Sequence, residues 1–201
     1  MNDRPNPAVD VVKLLRVAGW PTPVFWMLLL VSCAIAALVW RSDPAQRSVR
    51  SIALWLLRLL TGCMWWQQSL WKIPPNYDGL IYWMKQEVVH AAIALQGELV
   101  DVAVLPHITL FGPLVYAIEV AIGVSLILGL LARWGALLGL LMAINLWLGL
   151  YSAPGEWPWT YFFLIIIQAL FVINPLGQVL DADALLRQPR APRIRMLVRS
   201  R

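Results

Sequence analysis

A single carboxylate, Glu119, stands in the middle of a long apolar run, and an amide, Asn145, stands deep in the next one. The stretch 106–150 that holds both is otherwise almost free of charge until Arg133 in the turn between the runs. Polar groups at membrane depth are costly and are rarely idle. A carboxyl there can exchange a proton or close an ion pair. Two more such groups come from other runs, Arg58 and Gln168. Depths counted along each helix at ~1.5 Å per residue bring all four towards one level. The natural pairing at that level is Arg58 with Glu119, with Asn145 and Gln168 completing a polar layer. Such a layer is either a site or the glue of a helical bundle.

A second set of residues gathers at one end. Trp65 and Lys72 close one run, His107 opens another, and Trp157, Tyr161, Leu164 and Gln168 fall on one stripe of a third. Aromatic residues at this level commonly form an interfacial belt, which accounts for most of the twelve tryptophans. Turned inward, the same residues would suit a flat amphipathic ligand such as a quinone, or a small anion held by Lys72. There are two histidines, and no CxxC, HExxH, P-loop or dinucleotide glycine pattern. No haem, flavin or metal motif is therefore present. Cys33 and Cys63 read as small hydrophobes within apolar runs rather than as a redox pair.

The elements that must carry these groups follow from composition. Of 201 residues, 60% are hydrophobic and 13% charged. That balance excludes an ordinary soluble domain and requires a membrane protein. Five apolar runs emerge, at 24–40, 51–71, 108–131, 134–151 and 158–173. The first also resembles a signal peptide, with Ala34-Ile35-Ala36 as a cleavage site. In the second, Arg58, Gly62, Trp65, Ser69 and Lys72 share one face at 100° per residue, and that face must meet protein rather than lipid. Pro74-Pro75 stops this helix. The connection 76–105 has Leu80, Met84, Val88, Leu95 and Leu99 at helical spacing, predicting one amphipathic helix on the bundle or membrane surface that ends before Pro106. The segment between Pro7 and Pro21 is basic and amphipathic, predicting an interfacial position.

Basic residues set the orientation. Three arginines lie in 41–50, Arg133 marks one turn, and six arginines end the chain. The positive-inside rule places these on the cytoplasmic side of a bacterial inner membrane. The tail reads as an anchor on anionic lipid, not as a nucleic-acid contact. The predicted fold is thus an all-α integral membrane protein. It has a four-helix transmembrane core, one extra N-terminal transmembrane helix and an external amphipathic helix. Residues 1–50 form the N-terminal part, 51–186 the core domain and 187–201 a basic cytoplasmic tail.

Four pieces in this order resemble the DoxX-like family, and within it the DoxD branch. They are LLRLLTGCMWWQQSLWKIPP with Arg58, Gly62 and Lys72; EVAIGVSLILGLLAR with Glu119, Gly123, Gly129 and Arg133; EWPWTY from Glu156 to Tyr161; and NPLGQVLDAD with Gly177 and Asp181. The DoxD resemblance implies the membrane subunit of a thiosulfate:quinone oxidoreductase, which oxidises thiosulfate to tetrathionate and passes electrons to quinone. It implies Lys72 and His107 as attractors of the sulfur anion. It also implies a quinone near Trp65, Tyr161 and Glu119, with Glu119 exchanging the proton. Other membrane or periplasmic subunits are the implied partners. A non-catalytic subunit that stabilises or docks a larger redox complex is the other expectation.

Overall fold

In the computed structural model, residues 19–173 and 179–187 are described. The interfacial segment expected before residue 19, the helix stop expected at Asn174–Gly177 and the arginine tail beyond Arg187 lie outside them. The chain folds into helices joined by short turns, in the order α1 (Pro21–Ser42), α2 (Val49–Ser69), α3 (Asp78–His90), α4 (Ala94–Leu99), α5 (Ile108–Leu128), α6 (Ala132–Gly149), α7 (Pro158–Ile173) and α8 (Ala182–Arg187). Three helical runs are long and apolar enough to cross a membrane, namely Pro21–Ser42, Ala94–Leu128 and Ala132–Gly149; Pro158–Ile173 is a shorter apolar helix. The all-helical membrane fold expected from the sequence is the fold observed.

The least apolar of the long helices, α2, is the most enclosed. Its Arg58, Gly62, Trp65 and Ser69 are buried, as is Lys72 in the single 3₁₀ turn Leu70–Lys72 that continues it. The polar stripe faces protein, because a bilayer cannot solvate it. Ser48 caps the helix start by accepting from the Ser51 N–H at 3.1 Å.

α2 packs most extensively on α5, and α6 on α7. The α2–α5 pair is antiparallel, with Gly62 beside Ile127 and Gly123 beside Trp66. A Cβ on Gly62 would lie 2.8 Å from the Ile127 backbone nitrogen and 3.0 Å from the Gly123 carbonyl oxygen. The two helices thus approach backbone to backbone, as small residues permit in membranes. α1 lies across this pair. Its buried Ser32 donates to the Ile127 carbonyl at 2.6 Å, and Leu28 packs with Leu59, Trp66 and Ile127.

Three boundaries differ from expectation. α1 begins at Pro21, because prolines in a first turn lack only N–H groups that have no helical partner. The connection 76–105 is not one helix. α3 ends at His90, and α4 starts a new run that passes through a π turn, Val100–Val104, and a 3₁₀ turn, Leu105–His107, into α5. Pro106 therefore ends nothing; it sits in a turn whose altered hydrogen-bond spacing needs no donor from it. α5 stops at Leu128 rather than Leu131, because Gly129 takes a left-handed conformation (φ 68°) as its cap.

The close approach of α2 and α5 predicts a stability effect. Gly62→Val should lower the unfolding free energy of the detergent-solubilised protein by roughly 1–3 kcal/mol, as overpacking does. Thermal or denaturant unfolding would measure it, and an unchanged midpoint would mean that the seam opens freely.

Candidate functional site

The buried cations of α2 do not converge on one carboxylate. Arg58 pairs with Asp181, with Nη1 3.7 Å from Oδ2, and both side chains are about 1% exposed or less. Its Nη2 donates to the Leu180 carbonyl at 3.5 Å. Glu119 pairs instead with Lys72, whose ammonium donates to Oε1. The expected Arg58–Glu119 bridge is thus replaced by two bridges at opposite ends of the seam. The reason is register. In the antiparallel pair Arg58 lies level with Gly129, past the end of α5, while Lys72 lies level with Glu119. Fourteen residues separate the two cations, ~21 Å along a helix.

The Arg58 end is a closed knot. The Gly129 backbone passes directly against the guanidinium and Asp181, where any side chain would collide. Asp181 accepts from the Ala184 N–H at 2.6 Å, capping α8. Asp183 accepts from the Leu131 N–H at 3.1 Å, and Gln46 accepts from the Leu180 N–H at 2.7 Å. The linker after α1, the α5–α6 turn and the segment before α8 are thereby tied to α2.

The Lys72 end holds two buried carboxyls, Glu119 and Glu87. The Lys72 ammonium also stands 4.3 Å from the centroid of the Trp71 ring. Nearby is Glu87 of α3, a buried carboxylate on the amphipathic connection 76–105. A signal for it existed: Glu87 follows Leu80 by seven residues and Met84 by three, and all three are buried on one stripe. Gly149 at the end of α6 makes room for it, since a Cβ there would lie 2.8 Å from Glu87 Cδ and 3.0 Å from Gln96 Nε2. Burial pushes the Glu87 carboxyl from its ordinary 4.5 up to about 7, and the Lys72 ammonium opposes that shift. Tyr161 is half-buried and donates to Glu156 Oε2 at 2.7 Å.

The remaining residues separate. Asn145 is exposed and accepts from Gln96 Nε2 at 3.1 Å, so it fastens α4 to α6 instead of joining an inward layer. It lies two residues, ~200°, from Ala143 on the buried small-residue face of α6, which turns it away. His107 is exposed and its Nδ1 donates to the Ala103 carbonyl at 2.9 Å. Lys72 is buried against Glu119 and does not stand open at a mouth.

Gln168 is different again. It is fully buried on α7 against Gly139 of α6, and neither amide atom has a hydrogen-bond partner among the described residues. Trp65 Nε1 and Glu119 Oε2 are buried without a partner as well. Ala136 and Ala143, one turn to either side of Gly139, pack in the apolar cluster that contains Trp65, Ile122 and Phe171. α2, α5 and α7 thus each bring an unsatisfied polar atom to the bundle interior. Leaving one buried costs about 1–3 kcal/mol.

The DoxX family model matches residues 53–152, from α2 to the end of α6. The match includes Arg58, Trp65, Lys72, Glu87 and Glu119, and stops before Tyr161, Gln168 and Asp181. No curated protein and no solved structure matches the chain.

Two outcomes follow from this geometry. Lys72→Met should destabilise the fold by roughly 3–5 kcal/mol, because it strands a buried carboxylate, and Lys72→Met with Glu119→Leu should recover most of that loss. A double-mutant cycle in denaturant measures both. Glu87 should make stability depend on pH. Its folded value is raised, so its contribution is full below about 4.5 and is lost as pH rises through about 7. Unfolding followed across that window should show the decline, and Glu87→Gln should flatten it.

Proposed function

We propose that this chain, with a DoxX domain over residues 53–152, is the membrane subunit of a quinone-linked oxidoreductase in a bacterial inner membrane, its C-terminus cytoplasmic. The observation that carries this reading is the set of unpartnered polar atoms on Trp65, Glu119 and Gln168 inside an apolar bundle. A quinone ring is flat and apolar with a carbonyl at either side. The Trp65 indole N–H and the Gln168 amide N–H can each donate to such a carbonyl. Glu119 Oε2 belongs to a carboxyl that can exchange the proton accompanying electron transfer. The side assignment rests on the arginines of 41–50 and of the tail, and on Arg133.

Electrons reach this site from another subunit or from a reduced sulfur compound. Thiosulfate oxidation to tetrathionate is the finer form of the reading. In it the anion meets a cation other than Lys72, since that ammonium is neutralised by Glu119 and has Glu87 nearby. The partner subunits, membrane-embedded or periplasmic, then supply the anion site.

One observation favours the other class of function. Lys72 and Glu119 are closed on each other, as in a bundle that serves only to stabilise or dock a larger redox complex. The two readings divide at Gln168. Gln168→Leu should raise fold stability by about 1–3 kcal/mol, because it removes a buried amide that has no partner. The same substitution should weaken binding of a quinone analogue about tenfold, the loss of ~1.4 kcal/mol. Titrating the analogue into purified protein and following tryptophan emission measures the second effect. Higher stability with unaltered affinity would leave the docking subunit as the function.

A further inference from the structure

The Lys72 end of the bundle carries one cation and two buried carboxyls. With Lys72 and Glu119 both ionised and Glu87 neutral, the trio has no net charge. With Glu87 ionised as well, it carries one uncompensated negative charge in a buried place. Glu87 is set where that charge is hardest to bear. It lies in the last turn of α3, its own carbonyl accepting from the Ala91 N–H at 3.0 Å. Its carboxyl lies against Gly149, at the C-terminal end of α6. Both helix ends present carbonyl oxygens and partial negative charge, which repel a carboxylate.

Among the described residues, the groups around Glu87 leave one source of compensation. From the 3₁₀ turn after α2 comes Lys72, already paired with Glu119. From α7 comes Tyr161, a neutral phenol held by Glu156 of the α6–α7 turn. From α4 comes the neutral Gln96, bonded to Asn145 of α6. Glu98 of α4 and Asp101 after it are exposed, and His90 ends α3 itself.

We propose that Glu87 is a proton-exchange carboxyl that sets the charge balance of the Lys72–Glu119 pair. A proton from water at this end of the bundle adds to a Glu87 carboxylate oxygen and leaves from the same group; no electron moves and no other bond changes. While Lys72 is committed to Glu119, Glu87 holds the proton. When Glu119 is neutralised, Lys72 is freed for Glu87, and Glu87 releases it. Glu87 is thus a positioning residue for Glu119, acting through the charge of Lys72, which bonds to Glu119 and acts on Glu87 across space. Its use during quinone chemistry rests on the quinone reading given above; the exchange itself does not.

The test is an infrared pH titration of the purified full chain in lipid nanodiscs, with no quinone added, reading the carbonyl stretch of protonated carboxyl groups. A band with its midpoint near pH 7 is expected. It should be lost in Glu87→Gln and kept in Glu119→Gln. In Glu119→Gln its midpoint should move to lower pH, because Lys72 then faces Glu87 alone. A band that survives Glu87→Gln, disappears in Glu119→Gln or stays at the same midpoint there would overturn the proposal. Should Glu87→Gln fail to fold, the Glu119→Gln shift decides alone. The quinone reading is judged separately by analogue binding to Gln168→Leu, so either can fail without the other.

Discussion

Two cations on one buried helix, Arg58 and Lys72, constrain nearly everything else in the bundle. Neither can be left unpaired at its depth, since a lone buried ion costs several kcal/mol. Each therefore needs a carboxylate from another element, at a level set by its own place on α2. Asp181 comes from beyond α7 and Glu119 from the middle of α5. Between the two bridges, Gly62 and Gly123 let the helices touch backbone to backbone. A slip of α5 by one turn would break the Glu119 bridge and push the Gly62–Gly123 contact out of step. The ion pairs add little net stability against an apolar alternative, but they exclude other registers.

The two ends of the seam have become different kinds of place. At Arg58 the guanidinium meets Asp181, Asp183 adds a second acid at longer range, and backbone N–H groups bond to Asp183, Gln46 and Asp181. That web of bonds across three connections suits a fixed anchor. At Lys72 there is one more carboxyl than cation, and Glu87 sits at two helix ends that disfavour its ionised form. An excess of acid over base in a buried cluster forces one group to hold a proton near neutrality. The asymmetry follows from where Glu87 falls on α3, three residues beyond Met84 on its buried stripe.

How much of this was legible in the chain follows from which coordinate the sequence encodes. Position along a helix, and angle around it, are both given by residue number. That is why the inward stripe of α2 could be read from Arg58 to Lys72, and the five apolar helices placed within a few residues. Relative register between helices is not encoded in that way. Counting depths from helix ends brought Arg58 and Glu119 to one level, yet the Gly62–Gly123 contact fixes a register that sends Arg58 past the end of α5. Asn145 departs for another reason: it has the depth of an inward layer, but its angle, ~200° from Ala143, turns it outward. Asp181 lay in a stretch read for its resemblance, and nothing local to it announces a partner in α2.

Gln168 and Glu119 now stand in a different order of interest. Glu119 looked the more reactive of the two, as a carboxyl in an apolar run. In the folded chain one of its oxygens is already satisfied by Lys72 and the other is not. Gln168 has neither of its amide atoms satisfied, although Gly139 faces it and a leucine would be the natural residue for an apolar interface. A buried amide that makes no bond to its own protein is retained against a standing penalty. On the quinone reading proposed above, a ligand carbonyl bonded to that amide would lift the penalty, and Glu119 would meet it only through the oxygen that Lys72 leaves open.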